Sequence, residues 1–292
     1  MAYYLLYQAY GHADIFNECF YSILSFFRTS TTITTKQVKI VVYTDKPEKF
    51  ADYPVITEKL AAEKITEWRG EKDFVHRLKI KVLQDFFSKY PQAALIYSDT
   101  DTAWLQDGYS LFEEIKNGTL YMHIREETLD SKTTLLGRKI YRFLKKNDFG
   151  IPLDTFMWNA GLIGMNEKKQ DLLQEVLKLS DKMYAAYQKH VMEQLAFSFI
   201  FQKYGRILPA ENYVYHYWNF KEFRVVLNDF FMETASCSFE EKVALSVCIL
   251  PFEMAKAKND FKKQPYLLQK IRKMIGKSWQ MPPYTLSPKL KS

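Results

Sequence analysis

Three segments near the start of the chain constrain its fold more than anything else in it. Tyr3 to Ala9 (YYLLYQA) is an apolar run of strand length, and the turn Tyr10-Gly11-His12-Ala13 follows it. Asp14 then stands where a helix cap belongs. Ile15, Phe16, Cys19, Phe20, Ile23, Leu24 and Phe27 recur at spacings of three and four, which makes one buried helical face. After the polar stretch Thr29 to Gln37, Val38 to Thr44 (VKIVVYT) reads as a second buried strand. Strand, helix, strand opens an α/β fold.

The alternation continues. Pro54 to Leu60 holds a shorter strand, and Phe74 to Tyr90 is amphipathic, with apolar residues at 75, 78, 82, 83, 86 and 87 before Pro91 stops it. Ala93 to Ser98 (AALIYS) is a short apolar strand. Leu120 to Ile124 and Trp158 to Met165 are two more, separated by a basic segment, Lys132 to Lys146, that reads as a helix. Glu167 to His190 and Glu193 to Tyr204 read as helices, and Ser238 with Glu241 forms a capping-box signature for a helix over Phe239 to Ile249. The expected organisation is one α/β domain over residues 1–235 and a helical basic extension over residues 236–292.

Lys and Arg number 41 against 34 Asp and Glu, a net charge of +7, and the excess is local. Ten basic residues and a single acid, Asp260, fall between Ala255 and Ser292, so that stretch carries +9 and residues 1–254 carry −2. Within it Tyr266, Leu267, Leu268, Ile271, Met274, Ile275 and Trp279 fall at helical spacing, with Lys270, Arg272, Lys273 and Lys277 between them. Two readings follow: a basic amphipathic helix for an anionic membrane surface, or a helix docked on the domain with a solvated basic face. No zinc-finger, RRM or helix-turn-helix pattern supports a nucleic-acid partner. No run approaches the roughly 20 apolar residues of a membrane span, and the N-terminus lacks the pattern of a signal peptide. Three cysteines without CxxC or CxxH spacing suit a reducing compartment and argue against zinc. The expected location is cytoplasmic, with the basic extension allowing peripheral attachment to the inner face of the membrane.

The chemistry concentrates after the strand Ala93 to Ser98, where the sequence runs Asp99-Thr100-Asp101-Thr102. Aspartates at spacing two on an extended segment point to one side and can jointly hold a divalent cation. Hard Mg²⁺ or Mn²⁺ takes one or two protein carboxylates and fills its other positions with water and phosphate oxygens. In open α/β sheets the ligand crevice lies at this end of the strands. The pair therefore points to a phosphorylated ligand.

Further motifs follow in order: Arg77, Lys79 and Lys81 on the preceding helix, YSDTDTAWLQD, WNAGLIG, the Glu193-Gln194 pair opening a helix, and YHYWNFKEF. Together, over roughly residues 3–225, they resemble the nucleotide-sugar glycosyltransferases of the GT-A fold, most of all the retaining enzymes of the family 8 type. The resemblance implies a mixed, Rossmann-like sheet flanked by helices and the transfer of a hexose from a nucleotide-diphosphate sugar, UDP-linked first of all. The acceptor it implies is a glycan or a lipid-linked sugar, in surface polysaccharide or glycolipid synthesis. It further implies that Asp99 and Asp101 hold Mn²⁺ or Mg²⁺ with His216 as third ligand, and that Asp99 and Thr100 lie against the donor. Arg77 would face the donor's phosphates or sugar, Asn159, Ala160 and Gly161 would line the transferred sugar, and Lys221 would clamp phosphate. Glu193 would grip sugar hydroxyls and Gln194 would lie under the anomeric carbon. The family's acidic residues at the end of the first strand are replaced by Gln8, Ala9 and Tyr10, where the Gln amide can pair with a uracil edge.

Other readings compete. DxDxT also begins a haloacid-dehalogenase phosphatase, with Asp99 as nucleophile, but here 98 residues precede the motif and no later Asp-Asp or GDxxxD follows it. A nucleotidyltransferase would show a Gly- and Arg-rich loop after the first strand, and Tyr10 to Asp14 has a single Gly. A non-catalytic scaffold of the same fold is the remaining alternative. Among the aromatics, Trp104, Trp158 and Trp218 are candidates for stacking on sugar. His12, His76, His123 and His190 show no partner in the sequence and read as structural or surface residues.

Overall fold

The computed structural model describes residues 1–131 and 133–286. Lys132, at the head of the expected basic helix, and Lys289 and Lys291 of the basic tail lie outside the described residues.

The chain opens as β1 (Ala2–Ala9), α1 (Ala13–Thr29), α2 (Thr32–Gln37), β2 (Val38–Thr44) and β3 (Ile56–Lys59). It continues through α3 (Ala62–Arg69), α4 (Arg77–Lys89), β4 (Ala93–Ser98), β5 (Thr102–Trp104) and α5 (Tyr109–Lys116). Then come β6 (Leu120–Met122), β7 (Arg125–Thr128), α6 (Leu135–Lys146), β8 (Phe156–Trp158) and β9 (Leu162–Asn166). The rest is α7 (Leu172–Ala186), α8 (Met192–Tyr204), β10 (Ile207–Pro209), β11 (Val214–His216), α9 (Phe223–Glu233), α10 (Phe239–Leu245), α11 (Pro251–Lys263) and α12 (Tyr266–Met274).

Seven strands form one sheet in the order β10-β6-β9-β4-β1-β2-β3. β1 pairs in parallel with β2 and β4, while β9 runs antiparallel to both β4 and β6, so the sheet is mixed. Helices cover both faces because successive strand residues point to opposite sides. Tyr4 and Leu6 of β1, with Leu95 and Tyr97 of β4, enter a core under α4, α7 and α8. Tyr3, Leu5 and Tyr7, with Ala94 and Ile96, enter a second core under α1 and α5. That two-sided burial is why YYLLYQA and AALIYS are continuously apolar.

Several boundaries differ from those read in the sequence. The polar stretch after α1 contains α2, whose Thr31 accepts at its hydroxyl from the Thr34 amide; a cap supplies what a run of β-branched threonines lacks in propensity. The strand expected over Trp158 to Met165 breaks at Asn159-Ala160-Gly161 into β8 and β9. The helix expected from Glu167 begins only at Leu172, because Asn166 caps a separate 3₁₀ turn over Glu167–Lys169, and it ends at Ala186 where Tyr187 turns extended. The capping box at Ser238 and Glu241 is present, and α10 passes at Ser246 into a 3₁₀ turn.

The C-terminal segment divides in two. α11 buries Met254 and Ala255 in a third core with Tyr21 and Leu24 of α1 and Phe223, Val226, Leu227 and Phe230 of α9. Lys258, counted in the basic tail, is buried there, its Nζ 2.6 Å from Glu222 Oε2. Trp279 does not join the amphipathic stripe: it packs 6.1 Å, ring to ring, from Phe220. α12 buries nothing, and Tyr266, Leu267 and Met274 are each more than 70% exposed. Among the described residues no helix is long and apolar enough to cross a membrane.

Candidate active site

At the carboxyl end of β4 the chain leaves the sheet as Asp99-Thr100-Asp101 and at once enters β5, which pairs antiparallel with β11. That register sets His216 opposite Thr102, and the Tyr217 amide donates to the Asp101 carbonyl at 3.0 Å. The short ladder thus carries a residue 115 positions away to the aspartate pair. His216 Nε2 lies 3.1 Å from Asp101 Oδ1 and 4.0 Å from Asp99 Oδ2. One ligand atom from each of Asp99, Asp101 and His216 fits within 4.8 Å of the others. Two carboxylate oxygens and one imidazole nitrogen suit Mn²⁺ or Mg²⁺, with room left for phosphate oxygens and water.

The chain around His216 orients it. Nδ1 lies 2.9 Å from Asn159 Oδ1, which also accepts the Gly161 amide at 2.9 Å. With Nδ1 as the donor to that oxygen, Nε2 presents its lone pair toward the aspartates; such outer partners fix a ligand's tautomer and ring plane. Gly161 is required for space, since a Cβ there would overlap the imidazole. Gly161→Ala should therefore displace His216 and weaken Mn²⁺ binding about 10–100-fold, measured by calorimetric titration, with little loss of secondary structure. Unchanged affinity would show that the imidazole does not contribute to metal binding.

Cations balance the carboxylates from two sides. Lys221 Nζ lies 2.7 Å from Asp101 Oδ2 and 3.7 Å from Glu18 Oε1. Burial pushes the Asp101 carboxyl up, but His216 and Lys221 outweigh it and hold it well below its ordinary range. On the other side Lys79, buried on α4, reaches Asp99 Oδ1 at 3.1 Å and Glu193 Oε1 at 3.3 Å and donates to the Ala160 carbonyl at 2.9 Å. Glu193 is buried, and its carboxyl rises to about 7: desolvation drives the rise, Lys79 opposes it and Asp99 adds to it. Lys79 moves to about 12, its two carboxylates outweighing burial.

A cavity of about 780 Å³ opens over this cluster. Asp99, Asp101, Asn159, Ala160, Gly161, Glu193, Gln194 and His216 all line it. Gln194 donates to Glu126 Oε2 at 3.0 Å, and Asn159 Nδ2 lies 3.4 Å from Glu126 Oε1. Trp218, 56% exposed, lines the cavity, whereas Trp104 and Trp158 are buried in the cores.

Other expected donor contacts lie elsewhere. Arg77 does not line the cavity: its guanidinium pairs with Asp181 at 2.9 Å and donates to the Trp68 carbonyl. Thr100 turns its hydroxyl to Glu18 at 3.4 Å. Gln8 and Ala9 end β1 and Tyr10 follows it, all outside the cavity lining; Ala9 is fully buried, Tyr10 packs against the α4 side of the core, and Gln8 Oε1 is buried without a partner among the described residues. Lys221 is absent from the lining but touches the Asp101 carboxylate.

The sequence does carry a signal for Lys79 as a site residue. This lysine falls on the same helical stripe as Val82, Leu83 and Phe86, and a lysine on a buried face needs buried partners. Glu18, 1% exposed on α1 and paired with Arg224 of α9 at 2.8 Å, is a second such case. His76 and His190, expected to be structural or surface residues, also line the cavity.

No protein-family model matches the sequence, and no curated protein does either. Similar solved structures include mouse xyloside xylosyltransferase 1 in its apo form, at 15% identity and TM-score 0.49, covering 72% of this chain and 86% of that one. The glycosyltransferase GlyE of Streptococcus pneumoniae is 13% identical at TM-score 0.44, covering 82% of this chain and 52% of that one. The galactosyltransferase LgtC, solved with donor and acceptor sugar analogues, is 12% identical at TM-score 0.43, covering 67% and 70%.

Proposed function

We propose that the protein is a metal-dependent glycosyltransferase that moves a hexose, with retention of configuration, from a UDP-sugar or a related nucleotide-diphosphate sugar to a glycan or lipid-linked acceptor. The observation that carries this reading is the convergence of Asp99, Asp101 and His216 at the carboxyl end of β4, on a cavity that Asn159, Gly161, Glu193 and Gln194 share. Mn²⁺ or Mg²⁺ at that cluster supplies positive charge to a departing diphosphate. Lys221, paired with Asp101 and Glu18, is the cation beside it, half-exposed and long enough to turn to a phosphate. Glu193 offers a carboxylate to sugar hydroxyls and Gln194 an amide beneath the anomeric carbon, and Lys79 with Ala160 and Gly161 closes the floor. In this reading residues 1–235 carry the catalytic work and residues 236–292 form an appended extension.

A panel of nucleotide sugars titrated with and without Mn²⁺, followed by donor hydrolysis and the anomeric form of the product, tests the proposal. Metal-dependent binding of one donor is expected. Hydrolysis of simple phosphomonoesters, lost in Asp99→Asn, would favour the dehalogenase-type reading instead.

The exposed face of α12 supports peripheral attachment to anionic lipid, on the cytoplasmic side in surface polysaccharide or glycolipid synthesis. Leu267, Ile271 and Met274 project beside Lys270, Arg272 and Lys273. Leu267→Asn with Ile271→Asn should weaken binding to phosphatidylserine vesicles about tenfold or more in a sedimentation assay, leaving donor binding intact. Equal sedimentation of the variant would rule out α12 as the anchor.

A further inference from the structure

The cavity continues beyond the carboxylates. Glu126 marks the junction: its carboxylate meets Asn159 and Gln194, and the chain leaving it, through β7 to the first turns of α6, walls the remainder. The apolar lining there is Leu129, Leu136, Ile140, Met157 and Val191. All but Leu136 are buried in the protein core at 6% exposure or less.

The hydroxyls of this wing are already committed, and His76 and His190 also line the cavity. Thr133 and Thr134 both donate their hydroxyls to Glu127, as does Ser131, and Thr128 donates to Asp130. Thr134 also accepts the Gly137 amide at 2.9 Å as the α6 cap. A sugar ring placed against the five apolar side chains would lose water from its hydroxyls without regaining hydrogen bonds from them, which is unfavourable. A hydrocarbon chain meets no such penalty. Leu136, 38% exposed, and Leu135, 72% exposed, carry the apolar surface outward from the cavity wall to solvent.

We infer that the acceptor is amphiphilic: its reacting hydroxyl lies by Glu126 and Gln194, and its aliphatic aglycone occupies the wing formed by Leu129, Leu136, Ile140, Met157 and Val191. This rests on the transferase reading and narrows the acceptor class. A single amphiphilic occupant accounts for a wall that is polar at the carboxylates, carries five apolar side chains beyond Glu126, and is apolar again outside. A free glycan accounts only for the first part.

The test compares binding of octyl β-D-glucoside, below its micelle-forming concentration, with methyl β-D-glucoside by intrinsic tryptophan fluorescence on the full chain. Each buried methylene is worth about fourfold, so burying half of the added chain favours the octyl compound about 100-fold. Val191→Thr, close in shape, and Leu136→Asn, partly exposed, should each reduce that preference about fivefold or more while UDP binding with Mn²⁺ stays unchanged. Ile271→Asn on α12 should leave it alone. Equal affinity for the two glucosides, or a preference removed by Ile271→Asn and not by the wing variants, overturns the inference. Donor binding measured in the same samples separates the failures: with it intact, only the acceptor assignment falls, and without it the transferase reading falls too.

Discussion

Asp101→Ala is expected to abolish Mn²⁺-dependent binding of a nucleotide diphosphate and to lower any transfer rate by about 10²–10³-fold, the scale set by losing a group that stabilises developing charge. The size of the effect follows from what converges on one carboxylate. Oδ1 faces His216 and Oδ2 faces Lys221, and Asp101 is also one of the three residues able to hold a cation. Alanine removes a ligand, frees His216 to turn, and leaves Lys221 to the Glu18 carboxylate 3.7 Å away. The fold should survive, because the Asp101 carbonyl that accepts from Tyr217 and the β5–β11 ladder are backbone features. Isothermal titration with Mn²⁺ and then UDP, beside a thermal melt, reads both halves. Wild-type affinity in the variant would mean that these residues do not form a metal site.

The second large effect is on stability. Lys79→Met leaves Asp99 and Glu193 facing each other across a buried space without their shared cation, and breaking such a pair costs about 3–5 kcal/mol. The loss should depend on pH. The Glu193 carboxyl, at about 7 in the folded chain against 4.5 ordinarily, contributes stability that is full below pH 4.5 and is lost as pH rises through 7. Without Lys79 its protonation shifts higher still, so the variant should be only mildly weakened at pH 5 and most weakened at pH 8. Lys79 itself, raised to about 12 from 10.5, contributes stability that is constant below pH 10.5 and adds no slope between pH 5 and 8. Adding Glu193→Gln to Lys79→Met should recover part of the loss at pH 8 by removing one uncompensated charge. Denaturant unfolding at the two pH values measures this. Equal destabilisation at both, with no recovery in the double variant, would show that Lys79 acts through packing alone.

The pairing that matters most in this site was the least visible beforehand. Arg77 and Lys79 are two residues apart on α4, and two steps of a helix turn the side chain by about 200°. One of them could face the aspartates and the other could not. Arg77 points away to Asp181 of α7, and Lys79 points under Asp99. A reading by motif order singles out the arginine; a reading by helical stripe would have singled out the lysine, because it shares its face with Val82, Leu83 and Phe86. The basic tail shows a similar division. Lys258 and Trp279 are drawn into the core beside Phe220, while Leu267, Ile271 and Met274 stay exposed, although all fall in one stretch of similar composition.

Buried strands and amphipathic helices are local statements, since periodicity follows from where each side chain points along its own element. YYLLYQA, VKIVVYT and AALIYS therefore declared the central strands, and Asp99 and Asp101 could be placed at a strand's carboxyl end from the sequence alone. The partners of those aspartates are another matter. His216 arrives through a β5–β11 register spanning more than a hundred residues, and Asn159 orients it only because β8 and β9 part at Gly161. Lys79, Glu193 and the wing between β7 and α6 likewise face the same space only once the sheet and helices have packed. Contacts between distant elements depend on register and helix rotation, and neither is encoded in the spacing of any one segment.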